Sequence, residues 1–522
     1  MNMSATGIHD SLTRICGAGN FSFDADELTF YSQDLFESGC DPIAVARPDS
    51  TQAVCELMRM AKEQGIPLFV RGGGMSYTNA YLPSQPGGIV VDTAGLDDIV
   101  EINAEDGYVT VGAGCTWKAL DEALAGHNVR TTFWGPFSGA RATIGGSISQ
   151  GSATFGSGQT GTTAPAVLAL EVVTGDGEIL RTGMDAQQQH TPFFRHYGPD
   201  MTGLFTHDAG ALGIKTQVTL ALEERPAAYS GVSFSFSDFE GMFYAMRDVA
   251  KTGLASEIIG MDAAIAGIQA GETGLLADLK KLKTVIFDSP SLKRGLKSGL
   301  QAVLRGRAAF RDAVYTAHFI ADARSERLLD AKLAELSKVA AERGIEIPNA
   351  AVAMIRSMPF PDLALTHMDG RRMLPIHGII PNSRIASFRE LYVDYLESQR
   401  DAMSEARVQV VETYASLGRN GFLYEPVWYW EDSLEVFHER VSPPGLLETL
   451  PHFPENAKGR ALVSKMKADI IEIMYQHGAA HLQIGRVYPY LAGRDQVATD
   501  FLRATKRHLD GEGLINPGTL GL

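Results

Sequence analysis

Three consecutive glycines, Gly72-Gly73-Gly74, close the strand-like run Leu68-Phe69-Val70-Arg71 and lead into Met75-Ser76-Tyr77. Glycine permits positive φ and lets successive backbone N–H groups converge on an anion, and Ser76 adds a hydroxyl donor. The arrangement suits a pyrophosphate. Its spacing is neither the GxGxxG of a nicotinamide-binding fold nor the GxxxxGK[ST] of an NTPase, so neither class is indicated. Alone, the triplet reads more readily as a tight turn.

Three later segments change that weighting. The first contains Trp134-Gly135-Pro136, then Thr143-Ile144-Gly145-Gly146-Ser147-Ile148-Ser149, then Gly151, Ser152, Gly156, Gly158 and Gly161, ahead of a strand from Leu168 to Thr174. So many glycines and small hydroxyl residues suggest backbone lying flat against a bulky planar ligand. Asp208-Ala209-Gly210-Ala211-Leu212-Gly213-Ile214 precedes another strand, and Leu514-Ile515-Asn516-Pro517-Gly518 lies near the C-terminus.

The chain has 522 residues, more than one hydrophobic core supports, so at least two domains are expected. From Asp41 to about Glu224 short β-rich runs alternate with glycine turns and helical stretches, for example Ile66 to Arg71, Gly88 to Asp92, Tyr108 to Ala113 and a helix from Ser50 to Gln64. Glu224-Arg225-Pro226 marks a boundary, because proline stops the preceding strand. Helices follow near Asp238 to Thr252, Ser325 to Arg343, Ser387 to Arg407 and Ala457 to Gln476, interleaved with strands such as Ala313 to Ala321 and Met373 to Ile380.

A formal charge of -16 sets nucleic-acid binding aside. Cys16, Cys40, Cys55 and Cys115 lack zinc-site or disulfide-scaffold spacing and are expected as buried thiols in a reducing compartment. With no signal-like or membrane-spanning apolar run, a cytoplasmic protein is expected. One segment is basic: between residues 280 and 311, lysines and arginines accompany Leu292, Leu296, Leu300 and Leu304 at helical spacing. Such a helix is either a solvated cap face or a dock for an anionic membrane or acidic redox partner.

The four glycine-bearing segments, in this order, resemble the FAD-binding domain of the vanillyl-alcohol oxidase and p-cresol methylhydroxylase (PCMH) superfamily, which includes D-lactate dehydrogenase and glycolate oxidase flavoproteins. The resemblance implies an α+β fold: a PCMH-type FAD-binding domain over 41–225, an α/β cap (substrate) domain with an antiparallel sheet over 226–478, and a segment over 479–522 returning to the FAD domain, after an N-terminal extension over 1–40. It implies that Arg71, Gly72, Gly73, Gly74, Met75, Ser76 and Tyr77 embrace the FAD pyrophosphate. Pro136, Thr143, Ile144, Gly145, Gly146, Ser149, Gly151, Ser152, Gly156 and Gly161 would run beside the isoalloxazine and ribityl chain, with Gly213, Ile214 and Asn516 completing the pocket. Met75 stands where some relatives carry a flavin-linked histidine, so FAD is expected to bind non-covalently, with His377 the alternative link.

On the substrate side, Ala480-His481-Leu482-Gln483-Ile484-Gly485-Arg486-Val487-Tyr488-Pro489-Tyr490 is similar to two subgroups. His481 matches the histidine of the hydroxy-acid dehydrogenases' Glu-His-Gly, with Ala480 replacing the glutamate. Arg486 matches the arginine of the alkylphenol oxidases' Tyr-Arg pair without the preceding tyrosine. A histidine can take a hydroxyl proton as hydride leaves for flavin N5, and an arginine can hold a carboxylate or phenolate. His481 and Arg486 therefore lead the catalytic candidates, joined by Tyr488 and by His377, which could bind substrate, ligate a metal or satisfy a buried hydrogen bond. The second histidine of metal-using relatives is Arg384 here, so no metal is expected. The aromatic run Gly421 to Trp430 could place Trp428 and Trp430, with Tyr490, in a pocket for a ring-bearing substrate, or could form cap core.

The function expected is FAD-dependent oxidation of a small phenolic or benzylic alcohol, with oxygen, a quinone or an acceptor protein taking the electrons; a homodimer is left open. Two alternatives stay open: a D-2-hydroxy acid dehydrogenase or oxidase, and a non-catalytic flavin-binding or membrane-docking protein.

Overall fold

The computed structural model describes residues 5–262, 314–363, 365–367 and 369–522, and its strands form three sheets. In the smallest, Ala44–Ala46, Ile89–Asp92 and Leu68–Arg71 run parallel, with Phe21–Ser22 antiparallel at the edge. These strands are almost wholly apolar, as strands covered on both faces must be. The helix Thr51–Gln64 covers one face, burying Leu57, Met58 and Ala61 against Leu68, Ile89 and Val91. Phe30, Tyr31 and Phe437 cover Val45, Phe69 and Val90 on the other. That helix starts where Ser50 Oγ accepts the Ala53 N–H and ends at Gly65, whose φ of 65° is left-handed.

The second sheet is antiparallel, in the order Ile99–Asn103, Tyr108–Gly112, Ile214–Glu224, Val167–Val173 and Ile179–Arg181, with Val129–Thr131 paired to Ile214–Glu224. The short helix Ile144–Gln150 packs on it through Ile144 and Ile148. The strand Ile214–Glu224 ends at Arg225-Pro226, and Ala228–Phe236 begins the third sheet.

That third sheet is antiparallel with 8 strands. Helices Phe239–Thr252, Glu326–Ala340, Ile385–Ser398 and Ala457–Gln476 bury their apolar faces on one side of it. Its other side lies against the second sheet's helix and loops, where Ile320, Val352, Ile355 and Phe360 share a core with Trp134 and Phe155. The chain's end then returns: Leu68 N–H donates to Leu514 O at 2.8 Å and Asn516 N–H to Leu68 O at 2.9 Å.

Several elements differ from expectation. The Ser387 to Arg407 helix breaks at Gln399 into Ile385–Ser398 and Arg400–Ala406. The Met373 to Ile380 strand divides into Arg372–Pro375 and Gly378–Pro381, both on Gly421–Trp430, because Pro426, which accepts the Ile376 N–H at 3.0 Å, has no N–H to return that bond. Cys16, Cys55 and Cys115 are buried but Cys40 is partly exposed. Residues 280–311, the basic segment, lie outside the described residues. Among the described residues, no helix is long and apolar enough to cross a membrane.

Candidate functional site

The glycine-bearing segments converge on one cleft that is partly open to solvent. Gly72, Gly73, Gly74, Met75 and Ser76 line one wall; Pro136, Thr143, Gly145, Gly146, Ser149 and Ser152 line another; Gly213 and Asn516 contribute from the remaining segments. The first two walls touch so closely that a Cβ on Gly73 would overlap the Arg141 carbonyl oxygen. Thr143 caps the helix Ile144–Gln150, its Oγ1 accepting the Gly146 N–H at 3.3 Å, and so fixes where the second wall begins. Asn516 is a clasp: its Oδ1 accepts Val70 N–H and its Nδ2 donates to Gly210 O, both at 2.8 Å.

From Gly73 to Thr78 the backbone N–H groups have no acceptor among the described residues. Buried backbone donors are almost always paired, so such a run calls for a ligand's acceptors. At the other end of the cleft, Gln150 and Gln483 line the wall with buried amide oxygens that also lack a partner among the described residues.

A cluster of titratable side chains adjoins Gln483. Ala480 and Ile379 exchange backbone hydrogen bonds, which brings the stretch from Ala479 alongside the cap strand Gly378–Pro381. His481 Nδ1 lies 2.8 Å from the His377 carbonyl oxygen, and its ring stacks on Tyr488 at 4.0 Å. A carbonyl only accepts, so Nδ1 carries the hydrogen and Nε2 keeps its lone pair. That Nε2 is buried with no partner among the described residues. Desolvation holds the His481 pKa below the usual histidine value. His377 donates from Nε2 to Leu482 O at 2.9 Å and from its backbone N–H to Tyr488 Oη at 3.0 Å. Burial, with the nearby His481, lowers its pKa to about 3. Tyr77 meets His377 edge to face, and Gln483 Nε2 reaches its hydroxyl at 3.5 Å.

Residues 42–183 match the family of the FAD binding domain. The D-lactate dehydrogenase of Archaeoglobus fulgidus is 28% identical over 208 residues, 40% of this chain and 44% of that protein. The chain thus spans about half the length of the curated relatives it matches. Substrate-bound p-cresol methylhydroxylase superposes with a TM-score of 0.70 at 14% identity, covering 98% of this chain and 96% of that one. Alkyldihydroxyacetonephosphate synthase gives the same TM-score of 0.70 at 13% identity over 99% and 85% of the two chains.

Residues 42–183 form an FAD-binding domain, and the chain has the fold of p-cresol methylhydroxylase.

The FAD cleft fits that cofactor on its own chemistry. The free N–H groups of Gly73 to Thr78 suit a pyrophosphate, and the amide oxygens of Gln150 and Gln483 suit N–H groups of a flavin ring. Lys215, also in the wall, is already neutralised by Asp208 at 2.7 Å, both side chains buried.

Other expected cofactor residues serve elsewhere. The Arg71 side chain is buried, donates to Phe30 O at 3.0 Å and stacks on the Phe30, Tyr31 and Tyr81 rings. Ile144 and Ile214 are core residues, and Tyr77 belongs to the histidine cluster. Gly151 ends its helix at φ 70° under the His207 ring. Gly156 and Gly161 face the cap: Gly156 N–H donates to Glu257 Oε1 at 2.9 Å, and Gly161 abuts Gly418.

On the substrate side, Arg486 does not turn to His481. Its Nη2 donates to Leu82 O at 2.8 Å, its backbone N–H donates to Thr78 O at 3.0 Å, and the charges of Asp34 and Glu37 face it. Trp428 and Trp430 are fully buried in the cap core on the far side of their sheet. Tyr490 packs near Ala80, Ala209 and Leu520 and carries Arg494 on its ring. Gln150, Gln483 and Glu257 went unremarked in the sequence. Gln483 lies two residues beyond His481, which was the available signal; Glu257 offered none, being an ordinary strand residue by pattern.

Proposed function

We propose that the chain is an FAD-dependent oxidoreductase that converts the carbinol of a small phenolic or benzylic alcohol to the carbonyl. The observation that carries this reading is the orphaned His481 Nε2 beside the FAD cleft. Bound FAD would supply the two-electron acceptor. His481 takes the hydroxyl proton at Nε2, its tautomer fixed by the His377 carbonyl and its ring held by Tyr488. The lowered pKa keeps that nitrogen unprotonated at neutral pH. Leu417, Leu423 and Leu482 form an apolar cluster against Ala153, a cleft-wall residue, and exclude water there. Tyr77, whose ring meets His377 edge to face, offers ring surface for an aromatic substrate; the buried Trp428 and Trp430 do not.

The second reading is oxidation of a D-2-hydroxy acid, favoured by the sequence likeness to D-lactate dehydrogenase. It needs a cation for the carboxylate, and Arg486 is turned to Leu82. Anaerobic mixing of the flavin-loaded protein with vanillyl-type alcohols and with D-lactate-type acids separates the two: alcohols are expected to bleach the visible absorbance. Bleaching by acids alone overturns the preference, and a colourless protein that holds no flavin, either released on denaturation or covalently attached, overturns both.

A further inference from the structure

In the cap sheet, Thr413 pairs with Glu425 and Tyr414 with Tyr424. Successive strand residues point to opposite faces. Phe422, Tyr424, Trp428 and Trp430 fill the cap core, so Leu423, Glu425, Val427 and Tyr429 share the other face. Leu423 on that face packs on Leu482 and on Ala153, a residue of the FAD cleft wall. Leu482 lies between His481 and Gln483, which places Glu425 on the face opposed to the histidine cluster. Burial raises the Tyr77 and Tyr488 phenols, and the nearby Glu425 charge adds to both.

Glu425 is a carboxylate without a cation. Thr413 Oγ1 donates to its Oε2 at 2.6 Å, and among the described residues no lysine, arginine or histidine pairs with it. Arg371 donates to Asp369 and Gln409, and Arg486 donates through Nη2 to Leu82 O, its buried Nη1 having no partner among the described residues. Burial pushes the Glu425 carboxyl above the usual range. An enclosed acceptor of this kind is satisfied by a donor brought in with a ligand and is opposed by a second anion.

We infer that Glu425 is a specificity-determining residue, accepting a hydrogen bond from a hydroxyl or amine on the substrate and turning away substrates that carry a carboxylate at that position. The inference rests on the oxidoreductase reading for the identity of the ligand, and it deepens that reading. A phenolic substrate would bind with its phenol protonated, because a phenolate would meet the same repulsion.

The test is binding rather than turnover. Flavin-loaded protein is titrated with 4-hydroxybenzaldehyde, 4-aminobenzaldehyde and 4-carboxybenzaldehyde, following the visible spectrum and, in parallel, binding heat. Wild type is expected to bind the hydroxyl and amino ligands at least about tenfold tighter than the carboxylate. Glu425→Gln should remove most of that discrimination by admitting the carboxylate, and Glu425→Leu should weaken the hydroxyl and amino ligands. Equal wild-type affinities, or an unchanged ratio in Glu425→Gln, would overturn the inference. If the ligands discriminate as expected while no alcohol bleaches the flavin, the assignment of Glu425 stands and the oxidative reading falls.

Discussion

A single carbonyl decides what His481 can do. By holding the hydrogen on Nδ1, His377 O leaves Nε2 as the basic atom, and burial lowers its affinity for a proton. His481→Gln should slow substrate-driven bleaching by about 10²–10⁴-fold while flavin content stays as in wild type, which stopped-flow absorbance and flavin release measure. Under the proposed function the active form is the neutral imidazole. A depressed pKa keeps it neutral further into acid, so the pH profile should stay flat below the ordinary histidine value of about 6.5 and fall only in more acid solution. A fall already complete at neutral pH would contradict this. The residue type and its neighbourhood were legible in the sequence. The partner that sets its tautomer was not, because His377 is 104 residues away and acts through its backbone.

Elements turn such residues toward or away from the site by parity. In Gly421–Trp430 the aromatic concentration was visible, but the face it occupies depends on which side of the sheet the helices cover. Trp428→Ala should cost about 3–5 kcal/mol in denaturant unfolding, as loss of a fully buried aromatic does, and leave the order of preference among substrates unchanged. The C-terminal segment acts on the FAD cleft by the same logic of placement. Asn516→Ala leaves Val70 N–H and Gly210 O without their partner, and should cost about 2–4 kcal/mol and loosen flavin retention, read by thermal unfolding and by flavin lost on gel filtration.

The molecule is held together across its two layers by charge as well as packing. Asp322 of the cap sheet pairs with Arg130 at 2.8 Å and Arg356 at 2.7 Å, and Arg356 pairs with Glu257 at 2.8 Å, all of them buried. Glu257 in turn accepts the Gly156 N–H, so this network ties the second glycine tract to the cap. Asp322→Ala takes one partner from each of two buried guanidinium groups, leaving Arg130 with Glu223 and Arg356 with Glu257, and should destabilise by about 1.5–3 kcal/mol, measurable as a lowered unfolding midpoint. Acid should also weaken the whole fold. Burial lowers His318 to about 4 and His377 and His438 to about 3, so the unfolded chain takes up protons first. The stability these neutral histidines confer is present above about 6.5 and drains away as pH falls toward 3–4. A melting temperature unchanged between pH 7 and pH 4 would count against it.

Local chemistry is written in local sequence: glycine tracts, the Ser50 and Thr143 caps, the strand end before Pro226 and the apolar parallel strands all follow from residue type and spacing. They sufficed for an α+β chain with an FAD-binding half, since backbone freedom and side-chain periodicity are properties of neighbours along the chain. Tertiary structure alone decided that Arg71 stacks in a core, that Arg486 turns to Leu82, that Gly156 meets Glu257 and that Glu425 comes near the Tyr77 and Tyr488 phenols. Each of those outcomes depends on contacts between distant segments, where burial and pairing, rather than spacing, set which atoms are left free.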